Sequence, residues 1–283
     1  MEKYGDLVYM FSNSKKINIL CFGLLIVVAI FFFSQIVNAR LSVDSLNIKL
    51  KASSGESVSS TLTISNTGDE VIEVNVGIAD WWRTPEGNLQ LMAPGSRERS
   101  CAEWILYSPS SLSIEPGEGE EVSLEIDVPE KAKGDHWAML LVTEQPKSVE
   151  QEDQQVSTRV TVNYAIKVLQ QDPNTNEKNA KITNLQVNSV NPLNLSIYYK
   201  NTGQTHLQTT GRVEIRDLQG ETVKKLEIEK FPTLPSEKHI ISVKGSEQSE
   251  ELPSGTYYAI VIMDFGGDHL IQGGLPIQIP DSD

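Results

Sequence analysis

Residues 156–168 read Val156-Ser157-Thr158-Arg159-Val160-Thr161-Val162-Asn163-Tyr164-Ala165-Ile166-Lys167-Val168. Val156, Thr158, Val160, Val162, Tyr164, Ile166 and Val168 share one phase, and the polar residues together with Ala165 fill the other. A strict period of two places one set on each face of a β-strand, so this stretch predicts a long strand with one apolar face. Working outward, the same short period recurs in Leu46-Ile48-Leu50, Val58 to Ile64, Ile72 to Ile78, Leu89-Leu91, Val122 to Val128 and His136 to Val142. From Leu41 onward no segment sustains the apolar spacing of three and four that a helix needs. Trp137 to Val142 is apolar on both phases, which predicts a central strand covered on both faces. Seven strands in this half match a sandwich of the immunoglobulin type.

Gln170 to Ala180 is polar, contains Pro173, and has no apolar anchor before Ile182. It predicts a boundary, after which seven further segments run from Ile182 to Ile279. The halves repeat one another weakly. Asn66-Thr67-Gly68 is matched by Asn201-Thr202-Gly203, and Gly134-x-x-Trp137-Ala138 by Gly255-x-x-Tyr258-Ala259. Asn-Thr-Gly reads as a turn, since Asn and Gly tolerate the positive φ that turns often require. The expected fold is all-β: two tandem immunoglobulin-like β-sandwich domains, at 40–170 and 181–283, joined by a linker at 171–180.

The N-terminal 39 residues differ in kind. Lys15 and Lys16 precede an apolar run from Ile17 to Phe33, and Val37-Asn38-Ala39 offers small residues for a peptidase. This is the layout of a secretory signal. An uncleaved anchor helix through residues 17–37 is the rival reading, because the run approaches the ~20 residues that span a bilayer. Either predicts an extracytoplasmic protein, in the periplasm or at the cell surface.

The chain has 283 residues, 39% of them hydrophobic, enough for a packed core. Lysine and arginine total 24 against 38 carboxylates, a net charge of −14, which speaks against phosphate-driven binding of nucleic acid. Removing residues 1–39 takes away three lysines and two carboxylates and leaves the rest one charge more acidic. The two cysteines, Cys21 and Cys101, have no zinc-type spacing, and Cys101 is expected to be buried.

The first half carries, in order, Gly55-Glu56-Ser57-Val58, Asn66-Thr67-Gly68, Asp80-Trp81-Trp82 with Gly87, Cys101 to Ile105, Ser108-Pro109, Glu115-Pro116-Gly117, Val128-Pro129 and Gly134 to Ala138. In this order the pieces resemble pilus-assembly chaperones (PapD-like proteins), over about residues 41–169. The resemblance implies an extracytoplasmic chaperone that holds exported protein subunits by lending them a β-strand. Val156, Thr158, Val160, Val162 and Tyr164 are then the partner-binding strand, preceded by a polar loop at 145–155. The family also grips a partner's terminal carboxylate with basic side chains on the first and last strands of domain one. Lys167 stands at the second position, and Lys49 and Lys51 are the candidates for the first. Classical members carry arginine there, whose planar fork binds a carboxylate bidentately where lysine offers a point charge.

A different class of function rests on Trp81 and Trp82. Consecutive residues of a strand point to opposite faces, so one ring is a candidate platform for a sugar or an apolar partner, as in a surface adhesion or carbohydrate-binding module. No catalytic, phosphate-binding or metal motif is present in the sequence, and neither an enzyme nor a cofactor is expected. Asp264, Asp268 and His269 flank Gly266-Gly267 and read as a hairpin turn rather than a metal site. His136 reads as a core or edge residue, and Asn194-Leu195-Ser196 is a sequon within a strand.

Overall fold

The computed structural model describes residues 40–145, 163–245 and 252–281. Apart from a 3-10 turn at Ala102–Trp104, their regular structure is all strand, arranged as two sandwiches. In the first, β1 (Leu41–Val43), β3 (Ser57–Asn66), β8 (Gly119–Asp127) and β6 (Ile105–Ser108) form one sheet in that order. Facing it, β2 (Asn47–Lys51), β10 (Asn163–Gln171), β9 (His136–Glu144), β4 (Ile72–Arg83) and β5 (Leu89–Met92) form the other, and β7 (Ser111–Ile114) pairs with the start of β4. Pairing is antiparallel except between β2 and β10.

The inward phases make the core. Leu62, Ile64, Val122, Leu124 and Ile126 of one sheet pack on Val74, Leu140, Val142, Ile166 and Val168 of the other. Burying each such side chain contributes about 1.5–3 kcal/mol. The alternation of β10 is thus explained within its own sandwich, since Ile166 and Val168 are fully buried there. Strand β9 is central, as its two apolar phases predict. Ala138, Leu140 and Val142 face the core, while Trp137 and Met139 face outward into a second cluster with Trp81, Leu169 and Leu234. Leu234 comes from the second sandwich and covers this outer face.

The second sandwich comprises β11 (Ala180–Val190), β12 (Leu193–Asn201) and β15 (Lys238–Lys244) on one side. On the other lie β14 (Thr222–Thr233), β13 (Leu207–Arg216), β16 (Gly255–Asp264) and β17 (Ile271–Ile279). Ile197 and Tyr199 pack on Val213, Ile215, Val261 and Met263. Phe265 to Leu270 forms the turn between β16 and β17.

Three differences from the sequence expectation have physical causes. The first sandwich has ten strands among the described residues rather than seven, because β1, β6 and β7 span only three or four residues, too few for a period to register. The Asn-Thr-Gly motif is not a positive-φ turn; positive φ falls on other residues, such as Gly55, Gly117 and Gly134. Asn66 is instead a buried junction. Its Nδ2 donates to the carbonyls of Glu70 (2.8 Å) and Ile114 (2.9 Å), and its Oδ1 accepts the Gly68 N–H (3.0 Å). Asn201 repeats this with Thr205, Thr233 and Gly203. The repeat is therefore one of buried hydrogen bonding. Residues 1–39, with the expected signal or anchor helix, lie outside the described residues, among which no helix is long and apolar enough to cross a membrane.

Candidate functional site

The outer face of β4, β9 and β10 meets the second sandwich, and alternation puts Ala79, Trp81 and Arg83 on that face together with Lys167 and Leu169. Arg83 is the centre of the polar part. Its Nε donates to Glu237 Oε1 at 2.7 Å, and its Nη2 donates to Glu237 Oε2 at 3.1 Å and to the Pro232 carbonyl at 3.2 Å. Glu237 Oε2 also accepts the Leu234 N–H at 2.6 Å. Burial pushes the Glu237 carboxyl above its ordinary range, opposed by the guanidinium beside it.

Lys167 places its Nζ 5.5 Å from the centre of the Trp81 ring, and the Arg83 guanidinium lies 5.7 Å from the same ring. The Lys167 amine is lowered by burial and then by the charge of Arg83. His206, from the second sandwich, is lowered to about 4, first by burial and then by Lys49, Arg83 and Lys167. Three cations, Lys49, Arg83 and Lys167, therefore act on the region around His206, whose lowered pKa keeps its ring neutral near pH 7.

Asp135 fastens the same region. Its Oδ2 accepts the His206 N–H at 2.6 Å, its Oδ1 accepts the Asp172 N–H at 3.1 Å, and its own N–H donates to the Gln204 carbonyl at 2.9 Å. Arg99 donates to the Lys133 and Asp135 carbonyls, both at 3.2 Å, and to Gln204 Oε1. Gly134 has φ 71°, and a Cβ there would meet the Gln204 carbonyl oxygen at 2.5 Å, so only glycine fits this approach.

Of the expected site residues, Lys49 and Lys51 are exposed on β2, and Lys167 is half-buried on β10. The parallel register sets Lys167 against Asn47, and Lys49 against Leu169. Lys51 lies opposite Gln171, a further two residues along. Tyr164 is half-buried, with its hydroxyl donating to the Leu41 carbonyl at 3.0 Å. Val156, Thr158, Val160 and Val162 lie outside the described residues. Trp81 is 3% exposed, so its ring offers no face to solvent, a correction to the platform reading; the second sandwich covers it. Its indole N–H donates to the Ala138 carbonyl, and the Trp137 indole N–H donates to the Trp81 carbonyl, both at 3.0 Å. Trp82, on the opposite phase, is half-buried with Arg97 5.5 Å from its ring.

Sequence reasoning missed Arg83, Asp135, His206 and Glu237. Arg83 follows Trp81 at the spacing that shares a face, which was a usable signal. Glu237 lies 154 residues away and carried none. Cys101 is buried as expected, and its thiol is raised by that burial. His136 is a core residue, its ring 4.4 Å from that of Trp104.

Among the described residues, the first part of one edge of β10 has no strand beside it. The Lys167 N–H donates to the Leu46 carbonyl at 3.0 Å, and pairing with β2 runs from there to Gln171. Asn163 and Ala165 turn their main-chain groups the same way, are exposed, and meet no strand on that side among the described residues.

No protein-family model matches this chain, and no curated protein matches it. Among solved structures it is similar to a chain from a chaperone–tip adhesin complex of CFA/I fimbriae, at 13% identity over 86% of this chain and 100% of that one, with a TM-score of 0.48. It is similar to the YadV chaperone at 13% identity over 84% and 100%, with a TM-score of 0.45. It is also similar to a chain from the CsuC–CsuE chaperone–tip adhesin complex of Acinetobacter baumannii, at 14% over 83% and 98%, with a TM-score of 0.47.

Proposed function

We propose that this chain is an extracytoplasmic, non-catalytic binding protein of the pilus-chaperone type, holding exported protein subunits by strand addition along β10. In this reading residues 1–39 serve as signal or membrane tether, and the sandwiches act as domains at 40–170 and 181–283 on either side of the 171–180 segment. The observation that carries it is the open edge at Asn163 and Ala165, which runs directly into Lys167 and the basic cleft. An incoming strand would take its main-chain hydrogen bonds from these two residues and from the Val156–Val162 stretch before them. Its terminal carboxylate would be received by Lys167 and Lys49, with Arg83 held back by Glu237. The acidic chain around this cleft favours partners with basic surfaces elsewhere.

The test is photo-crosslinking from residue 165 in the native cell envelope, with mass spectrometry of the adduct. A dominant exported protein, its yield cut several-fold by Lys167→Gln and not by Lys51→Gln, supports the reading. A folded, exported protein that gives no adduct from either position 163 or position 165 overturns it.

A further inference from the structure

Strand β5 (Leu89–Met92) closes its sheet at the end away from β2 and β10, with β4 as its partner. The Thr84 N–H donates to the Asn88 carbonyl at 2.9 Å, and the same register continues through Trp82 opposite Gln90 and Asp80 opposite Met92. Hydrogen-bonded and non-hydrogen-bonded pairs alternate along an antiparallel ladder, so Leu89 and Leu91 turn their N–H and C=O groups away from β4. Among the described residues no strand lies on that side. Charges or proline normally guard such an edge. Strand β2 carries Lys49 and Lys51 and β17 carries Pro276, whereas Gly87 to Ser96 has no charged side chain and β5 no proline. Its side chains are apolar instead, with Leu89 43%, Leu91 51% and Met92 38% exposed.

Charge and geometry together select the occupant. Two copies of a chain of net charge −14 repel, and a neutral apolar edge is where they can meet with little repulsion. A two-fold axis through Gln90 sets Leu89 of each copy opposite Leu91 of the other, so the outward main-chain groups of these residues satisfy one another. Residues directly opposite share a face, which gathers the leucines of both copies on one side and sets Gln90 against Gln90 on the other. We propose that β5 pairs antiparallel with β5 of a second copy, joining the two first sandwiches into one continuous sheet with β2 and β10 at both of its ends. The pairing does not depend on β10 receiving a subunit. Because β5 has only 4 residues, the contact is smaller than the roughly 1,200 Å² of a lasting interface, and the dimer is reversible, with a Kd of about 10–100 µM.

The experiment is sedimentation equilibrium of the full exported chain from about 1 µM to about 1 mM, at low and high salt. A monomer–dimer equilibrium that tightens as salt screens the like charges of the two copies is the expected result. Gln90→Glu and Gln90→Lys each place like charges opposite one another at the axis and should weaken it about tenfold, while an equimolar mixture of the two should restore it. Leu91→Pro removes an outward N–H without touching the ladder to β4 and should weaken it as much. A monomer throughout, an equilibrium that loosens with salt, or a dimer lost in Ala165→Pro and kept in Leu91→Pro overturns the proposal, the last assigning the contact to β10. So does a mixture of Gln90→Glu and Gln90→Lys that associates no better than either alone. Thermal unfolding of each variant shows that it remains folded.

Discussion

The Arg83 guanidinium of the first sandwich and the Glu237 carboxylate of the second form a two-pronged ion pair, 2.7 Å from Nε to Oε1 and 3.1 Å from Nη2 to Oε2, with side-chain exposures of 16% and 6%. So little solvent reaches it that losing one partner matters more than the pair itself contributes. Arg83→Ala leaves the Glu237 carboxylate buried and uncompensated, and should cost about 3 kcal/mol in denaturant unfolding. Glu237→Gln removes a charge that burial disfavours and should cost less. Equal losses in both variants would refute this ordering.

The histidine at 206 makes stability fall in acid. Its folded pKa is lowered to about 4, so its contribution is complete above the ordinary value of 6.5 and is lost as pH falls from 6.5 toward about 4, where the unfolded chain binds the proton first. Glu237 and Asp135 are raised and act oppositely, contributing below the ordinary carboxylate range and less as pH rises through their folded values. His206→Gln should therefore flatten the slope between pH 6.5 and 4 by on the order of 2 kcal/mol. Urea unfolding at stepped pH would show it, and an unchanged slope would count against the burial of this ring and the charges around it.

The two junction asparagines should behave alike despite lying in different sandwiches. Asn66→Ala or Asn201→Ala removes two side-chain hydrogen bonds to main-chain carbonyls and one from a glycine N–H, and each is expected to destabilise the protein by about 2–3 kcal/mol. Matching losses of melting temperature check this. A neutral variant would mean that water replaces the side chain.

Gly134→Ala should cost more than a flexible turn would suggest, because positive φ and the Gln204 carbonyl at 2.5 Å both oppose a Cβ. A loss of about 2 kcal/mol is expected. Gly117→Ala, at φ 79° with nothing nearby, should lose only the backbone part, about 1 kcal/mol, so the difference in denaturation midpoint isolates the contact.

What could be read from the sequence was what a single strand records about itself. Period two marked the all-β class, and the doubly apolar run at Trp137 to Val142 marked β9 as central. Asn66 and Asn201 showed that the halves repeat, and Lys167 was visible as a base on the polar phase of β10. Strands of three or four residues left no period, and the buried role of the asparagines was hidden because turn and junction use the same letters. Which side chains meet was settled only by tertiary structure. Trp81 and Trp82 had to face opposite ways, but Leu234, over 150 residues on, decided that Trp81 would be covered. Arg83 found Glu237, and His206 came under the charges of Lys49, Arg83 and Lys167, for the same reason. Periodicity fixes the face on which a side chain stands, whereas its partner depends on strand register and on how one sandwich packs against the next, and neither is encoded locally.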